Sequence, residues 1–168
     1  GDLRLGIALD EPPPGWRIAN PERVKPIAAA LLAGNPVALV QETCRADWLR
    51  ASSARWAERA DLQVLVTDRA MPSDSAVLVF HPPVLALGIG CERGCDVAEI
   101  AALARDCLAE ADLGPGAIAA VVSVDLKVDE PGIHALAASL DVPARFFPAS
   151  RLLDETARLT VRSEAAFR

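Results

Sequence analysis

Short, nearly continuous apolar runs set the strongest constraint on this chain. "PVALV" at 36–40, "LQVLV" at 62–66, "AVLVF" at 76–80, "VLALGIG" at 84–90 and "AIAAVVSV" at 117–124 recur between segments of helical periodicity. A strand with one wet face alternates apolar and polar residues. An unbroken run implies burial on both faces, the condition of a parallel sheet covered by helices. The expectation is therefore an α/β fold: a three-layer αβα arrangement on a largely parallel or mixed sheet, with a smaller α/β unit at the N-terminus.

The segments between the runs read as helices with recognisable ends. In "NPERVKPIAAALLAGN" (20–35), Asn20 is placed to cap, Pro21 suits the first turn and Gly34 ends the element, while Val24, Ile27, Ala28, Leu31 and Leu32 share a face. "ADWLRASSARWAERA" (46–60) has the pattern of an amphipathic helix with Trp48 and Trp56 on a similar face, a core or interface pair rather than a stacking platform. "DVAEIAALARDCLAEA" (96–111) is the clearest helix, opened by a capping box of Asp96 and Glu99. "PGIHALAASL" (131–140) and "ASRLLDETARL" (149–159) follow as helices around a strand at "ARFFP" (144–148). The tandem Pro82-Pro83 cannot donate to a sheet and marks a crossing between units, giving domains over 1–81 and 82–168.

Charge and cysteine content exclude several function classes. A net charge of −6 with no Lys/Arg cluster argues against a nucleic-acid partner. Four cysteines without a CxxC, and only two histidines, offer no zinc spacing, so Cys44, Cys91, Cys95 and Cys107 are expected as free thiols. No apolar stretch approaches the ~20 residues that span a bilayer, and no export signal is visible, which makes the cytoplasm the expected location. The first residue, Gly1, is consistent with a tag remnant ahead of an excised piece of a longer polypeptide.

Two strand ends carry the candidate chemistry. In open α/β sheets ligands sit beyond the carboxyl ends of the strands. "LGIGCERGCDVAE" (87–99) ends a strand in spaced glycines and starts a helix whose N–H groups and dipole favour an anion. Gly88, Gly90 and Gly94 make G-x-G-x-x-x-G, one residue too long for the dinucleotide fingerprint, and no P-loop lysine follows. Read by itself the loop is either a structural turn or an anion site. "SVDLKVDEPG" (123–132), if extended, puts Ser123, Asp125, Lys127 and Asp129 on one side and Val124, Leu126 and Val128 on the other. That cluster is either a surface ion pair, worth under about 1 kcal/mol, or a substrate contact by Lys127 beside an acid/base group.

Together these two motifs resemble the C-terminal domain of the cobalamin-biosynthesis proteins CbiG and CobE, which reads G-I-G-C-R-R-G at the first loop and S-x-D-x-K-x-D-E-P at the second. "GWRIANPERVKPIAAALLAGNPVALV" is similar to the tail of the N-terminal region and the start of the middle region of CbiG. Against that pattern, Cys95 replaces a Ser or Thr, Glu92 stands where a basic residue is common, and the usual C-terminal continuation and most of the N-terminal domain are missing. The resemblance implies a fragment, such as part of a fusion with a precorrin methyltransferase.

It also implies a chemistry. CbiG is associated with hydrolysis of cobalt-precorrin-5A, opening a ring lactone and releasing acetaldehyde. The resemblance then assigns Glu130, Asp129 and His134 to proton handling, and Gly88, Gly90, Cys91, Arg93, Gly94, Ser123, Asp125 and Lys127 to holding a corrin-ring intermediate by its carboxylates. It implies no cofactor and no protein-bound metal, since cobalt would enter with the macrocycle and neither His81 nor His134 is expected to ligate it. Expected partners are the tetrapyrrole itself, a second copy or other pathway enzymes. The alternative function is a non-catalytic corrinoid carrier or a structural domain of a larger enzyme.

Overall fold

The computed structural model describes residues 6–70 and 76–158. The chain divides into two compact units, Gly1–Val84 with Leu108–Ala117, and Leu85–Cys107 with Ile118–Arg168.

The first unit holds β1 (Arg17–Ile18), α1 (Val24–Leu32), β2 (Val37–Gln41), α2 (Asp47–Arg50), β3 (Trp56–Ala57), β4 (Leu62–Val66) and β5 (Val77–His81). Its five-stranded sheet has the order β1-β5-β4-β2-β3. β5, β4, β2 and β3 run parallel and β1 is antiparallel to β5. The unbroken apolar runs are buried as expected, with Val37, Val64, Val66, Leu78 and Phe80 fully enclosed. Asn20 departs from its expected role. It makes no side-chain cap; its amide instead donates to the Val77 carbonyl at 2.8 Å and accepts from Val79 N–H at 2.9 Å, completing the hydrogen bonding of β5.

The helix expected over 46–60 is only one turn. Ser52 Oγ turns back to the Leu49 carbonyl at 2.6 Å and takes the Ala54 N–H at 3.3 Å, an alternative to continued helix that serine side chains readily offer. The chain then re-enters the sheet at Trp56, whose indole N–H reaches Leu49 O at 3.2 Å. Trp48 packs edge-on between Trp16 and Phe80, with centroids 5.7 and 5.3 Å away. The tryptophans are thus core material, but not on one helical face. The Leu108–Ala117 stretch packs here too: Gly114 donates to Asp68 O at 2.7 Å, and a Cβ on Gly114 would lie 2.7 Å from the His81 ring. His81 is buried, with Nδ1 2.7 Å from Thr67 O.

The second unit contains β6 (Leu85–Gly88), α3 (Val97–Glu110, whose last residues belong to the first unit), β7 (Ile118–Val124), α4 (Pro131–Ser139), β8 (Ala144–Phe147) and α5 (Ala149–Asp154). Its sheet is fully parallel in the order β6-β7-β8. Ile100 and Ala104 of α3, Val121 of β7, and Ile133, Leu136 and Ala137 of α4 form its core, as the helical periodicities of 96–111 and 131–140 require. Asp96 caps α3, taking the Ala98 N–H at 3.0 Å, while Glu99 faces the Cys95 thiol at 3.8 Å. The α/β class holds in both units. The larger sheet, however, is the five-stranded one of the N-terminal unit, to which the 46–60 segment adds the two-residue strand β3.

Candidate functional site

Parallel pairing of β6 and β7 places both candidate loops at one carboxyl edge of the second unit. Gly88 stands opposite Val122, and Ile89 N–H continues the pairing to Val122 O at 2.9 Å. Four side chains then fasten the loops. Ser123 Oγ donates to Ile89 O at 2.7 Å. The Arg93 guanidinium donates to Leu126 O at 3.1 Å. Gly94 N–H points at both carboxylate oxygens of Glu130, at 3.1 and 3.3 Å. His134 Nε2 lies 2.7 Å from Val128 O, and since a carbonyl only accepts, that nitrogen carries the proton.

The extended alternation expected for 123–130 does not form. β7 ends at Val124, and Asp125–Lys127 is a single 3-10 turn. Ser123, Asp125, Lys127 and Asp129 therefore do not line one side. Ser123 is only 8% exposed and its hydroxyl is spent on Ile89, whereas Asp125 and Asp129 are exposed and Lys127 is half-buried. The turn also expels the apolar partners that the alternation would have buried: Leu126 is 68% and Val128 49% exposed. Sequence reasoning missed both. The available signal was Asp125 directly after the strand, a residue that favours turn initiation. The surface ion pair does not form either, because no carboxylate lies within salt-bridge distance of Lys127 among the described residues.

Glu130 is 3% exposed, although it immediately precedes α4. Its carboxylate ties the glycine loop to the second loop. Gly94 donates to this tie from a left-handed conformation, φ 72°, that a side chain would strain. Asp129 is the exposed carboxylate of the set. His134 is exposed but its ring is engaged, bonded to Val128 and tilted against Phe146 at 5.3 Å.

A hollow of about 600 Å³ opens beside the glycine loop. Leu87, Ile89, Ile100 and Leu103 form the apolar part of its lining, Gly88, Gly90, Cys91, Arg93 and Gly94 lie on its loop side, and the carboxylates of Glu92, Asp96 and Glu99 border it as well. The second loop contributes no residue to this lining; it joins the hollow's rim through the Arg93–Leu126 bond. Burial first, then the Glu99 carboxylate, Cys91 and Glu130, push the Cys95 thiol above its ordinary range. That thiol is a poor nucleophile at neutral pH. All four cysteines are free, and the described residues include no cluster able to hold a metal ion. No helix among them is long and apolar enough to cross a membrane.

Two parallel-strand ends fastened together at one edge of a parallel sheet, beside a hollow, place the chain among α/β proteins. Comparison with known proteins narrows the class. The family model for the cobalamin synthesis G C-terminus matches residues 85–168, and that for the cobalamin biosynthesis central region matches residues 13–82. The chain belongs to the CbiG family of cobalamin-biosynthesis proteins.

Among curated proteins it is 43% identical over 83 residues to the protein CobE of Sinorhizobium sp, covering 49% of this chain and 54% of that protein. It is 28% identical over 137 residues to the cobalt-precorrin-5A hydrolase of Priestia megaterium, covering 71% of this chain and 37% of that enzyme. The chain thus spans about half or less of the length of these relatives. A crystal structure of CobE, a protein from the cobalamin (vitamin B12) biosynthetic pathway, is 36% identical with a TM-score of 0.48, covering 51% of this chain and 62% of that one.

Proposed function

We propose that this chain binds a corrin-ring intermediate of cobalamin biosynthesis at the carboxyl edge of the β6-β7-β8 sheet, with 1–81 acting as a CbiG middle-region domain and 82–168 as a CobE-like domain. One observation carries the reading: among the described residues Lys127 presents an ammonium with no partner, on a loop otherwise fastened at Ser123, Leu126, Val128 and Glu130. A cation held on a rigid loop and left unpaired is suited to a ligand carboxylate. The backbone of Gly88 and Gly90 and the Arg93 side chain border the same ligand, and Cys91 contributes packing.

Binding is favoured over catalysis in this chain. Of the three groups assigned to proton handling, Glu130 is consumed in positioning the loops and His134 is anchored to Val128, which leaves Asp129 as the one exposed carboxylate for lactone opening. The reading places the chain in the cytoplasm, where such intermediates are made, with pathway enzymes or a second copy as further partners.

Calorimetry against corrin intermediates tests it, run beside an assay for acetaldehyde release from a lactone-bearing corrin. Lys127→Ala should weaken binding by about 1–3 kcal/mol, the worth of a charge-assisted hydrogen bond. Acetaldehyde formed at enzymatic rates, and abolished by Asp129→Asn, would establish the hydrolase instead of the carrier.

A further inference from the structure

The thiols of this chain are unevenly placed. Cys44 packs on the core of the first unit, whereas Cys91, Cys95 and Cys107 line the hollow beside the glycine loop. Cys107 stands near the far end of α3, but Cys91 and Cys95 bracket the turn at Arg93–Gly94 and pack half-buried against one core cluster. A β-turn keeps its two flanking Cα atoms within about 7 Å, here those of Glu92 and Cys95, and Cys91 is one residue outside that frame. Bridged cysteines have Cα atoms up to about 6.8 Å apart, a comparable reach.

The segment is anchored on both sides of the pair. Ile89 is bonded to Val122 and Ser123, Arg93 and Gly94 to Leu126 and Glu130, and Asp96 caps α3. The sulfurs themselves are hardly held: Cys95 Sγ donates to Glu99 Oε2 at 3.8 Å, and no shorter hydrogen bond engages either thiol among the described residues. Two thiols kept near each other by a fastened backbone, free at their sulfurs and facing an open hollow, meet the requirements of an intramolecular exchange.

We propose that Cys91 and Cys95 are a dithiol pair that closes into a reversible disulfide, with a low-molecular-weight disulfide such as glutathione disulfide as the oxidant. The Cys91 thiolate attacks one sulfur of the oxidant, forming a mixed disulfide and releasing one glutathione thiolate. The Cys95 thiolate then attacks Cys91 Sγ, forming the internal bond and releasing the second. Two protein thiols are oxidised, one glutathione disulfide is reduced to two glutathiones, and the two thiol protons pass to the solvent or to the released thiolates. Cys95 takes the second step because burial, Glu99 and Glu130 all disfavour its thiolate, which leaves Cys91 to react first. Both thiols line the hollow, so the bond reshapes its loop-side wall and makes that wall respond to the surrounding redox poise. The inference does not depend on what the hollow binds.

The full-length reduced chain, incubated with glutathione disulfide in mildly alkaline buffer and mapped by peptide mass spectrometry, tests the pair. The peptide spanning Cys91 and Cys95 should lose the mass of two hydrogens, and a dithiol reductant should restore it. Cys95→Ser should stop at a glutathione adduct on Cys91, and Cys91→Ser should leave Cys95 largely unmodified. Glu99→Gln, a surface change that keeps both thiols, guards against misfolding of the serine variants; by easing ionisation of Cys95 it should speed closure severalfold.

A wild-type chain that accumulates glutathione on Cys91 without the internal bond would overturn the proposal, since the thiols would then be too far apart. Cross-links that run instead to Cys107 or between two chains would overturn it as well. Closure at the native rate in Glu99→Gln would overturn the assignment of Cys95 to the second step.

Discussion

Removing the Glu130 carboxylate should release the glycine loop. In the native chain that carboxylate is 3% exposed and its two oxygens lie 3.1 and 3.3 Å from one donor, Gly94 N–H. A hydrogen bond to a charged group contributes about 1.5–3 kcal/mol, and at 1.4 kcal/mol per tenfold this corresponds to roughly 10- to 150-fold protection of that amide against exchange. Glu130→Ala should therefore accelerate hydrogen exchange at Gly94 by about that factor, read by NMR, while amides of β7 retain their protection. Glu130→Gln keeps one carbonyl acceptor and should give an intermediate rate. Corrin affinity should fall in the order wild type, Gln, Ala, since a positioning residue acts through the loop. A Gly94 amide that exchanges at the native rate in Glu130→Ala would refute the tie and return Glu130 to the candidates for direct chemistry.

Gly132 lies where α4 meets α3, and a Cβ there would stand 2.6 Å from Ile100 Cδ1 and 3.5 Å from Cys95 O. Gly132→Ala should cost about 1–3 kcal/mol as overpacking, and Ile100→Val, which deletes that methyl, should recover part of the loss; purely additive urea-denaturation energies for the pair would contradict the contact. Because burial, Glu99, Cys91 and Glu130 all disfavour its thiolate, Cys95 should alkylate only at pH values above those of a free cysteine peptide. Removing the Glu99 charge with Glu99→Gln should shift that alkylation profile to lower pH, followed by mass spectrometry of the Cys95 peptide. Burial likewise raises Cys44, which should lag an exposed thiol in the same experiment.

The α/β class was legible because unbroken apolar runs have few other uses, and Val37, Val64, Val66 and Phe80 are buried as such runs require. The helix at 96–111 was legible from its cap and its stripe, since both are local. The segment at 46–60 was not, because helical periodicity in its apolar residues competed with serine side chains that bond the backbone, and the edge of β2 offered Trp56 a sheet partner. At the candidate site the loops themselves could be read from their glycines and charges, and the structure puts them side by side. Their internal geometry could not. Period-two alternation assumes an extended backbone, and the turn at Asp125–Lys127 instead brought Leu126 and Val128 into solvent beside Asp125 and Asp129. The ties made by Arg93, Glu130 and His134 run 33, 36 and 6 residues along the chain, and pairings of the longer kind leave no periodic trace in sequence.

The path of the chain between its two units has a consequence for anyone who would take it apart. Residues up to Val84 belong to the first unit, Leu85–Cys107 to the second, Leu108–Ala117 to the first again, and the remainder to the second. One scission after Val84 would strip the amino-terminal product of the Asp112–Gly114 segment that bonds Asp68 and Ala70 and bridges Arg69, and would leave that segment on the other product with its hydrogen-bonding groups unmatched. Dissection into working halves thus calls for transplanting the Leu108–Ala117 stretch as well as cutting, and recombination by contiguous exchange of gene segments faces the same obstacle.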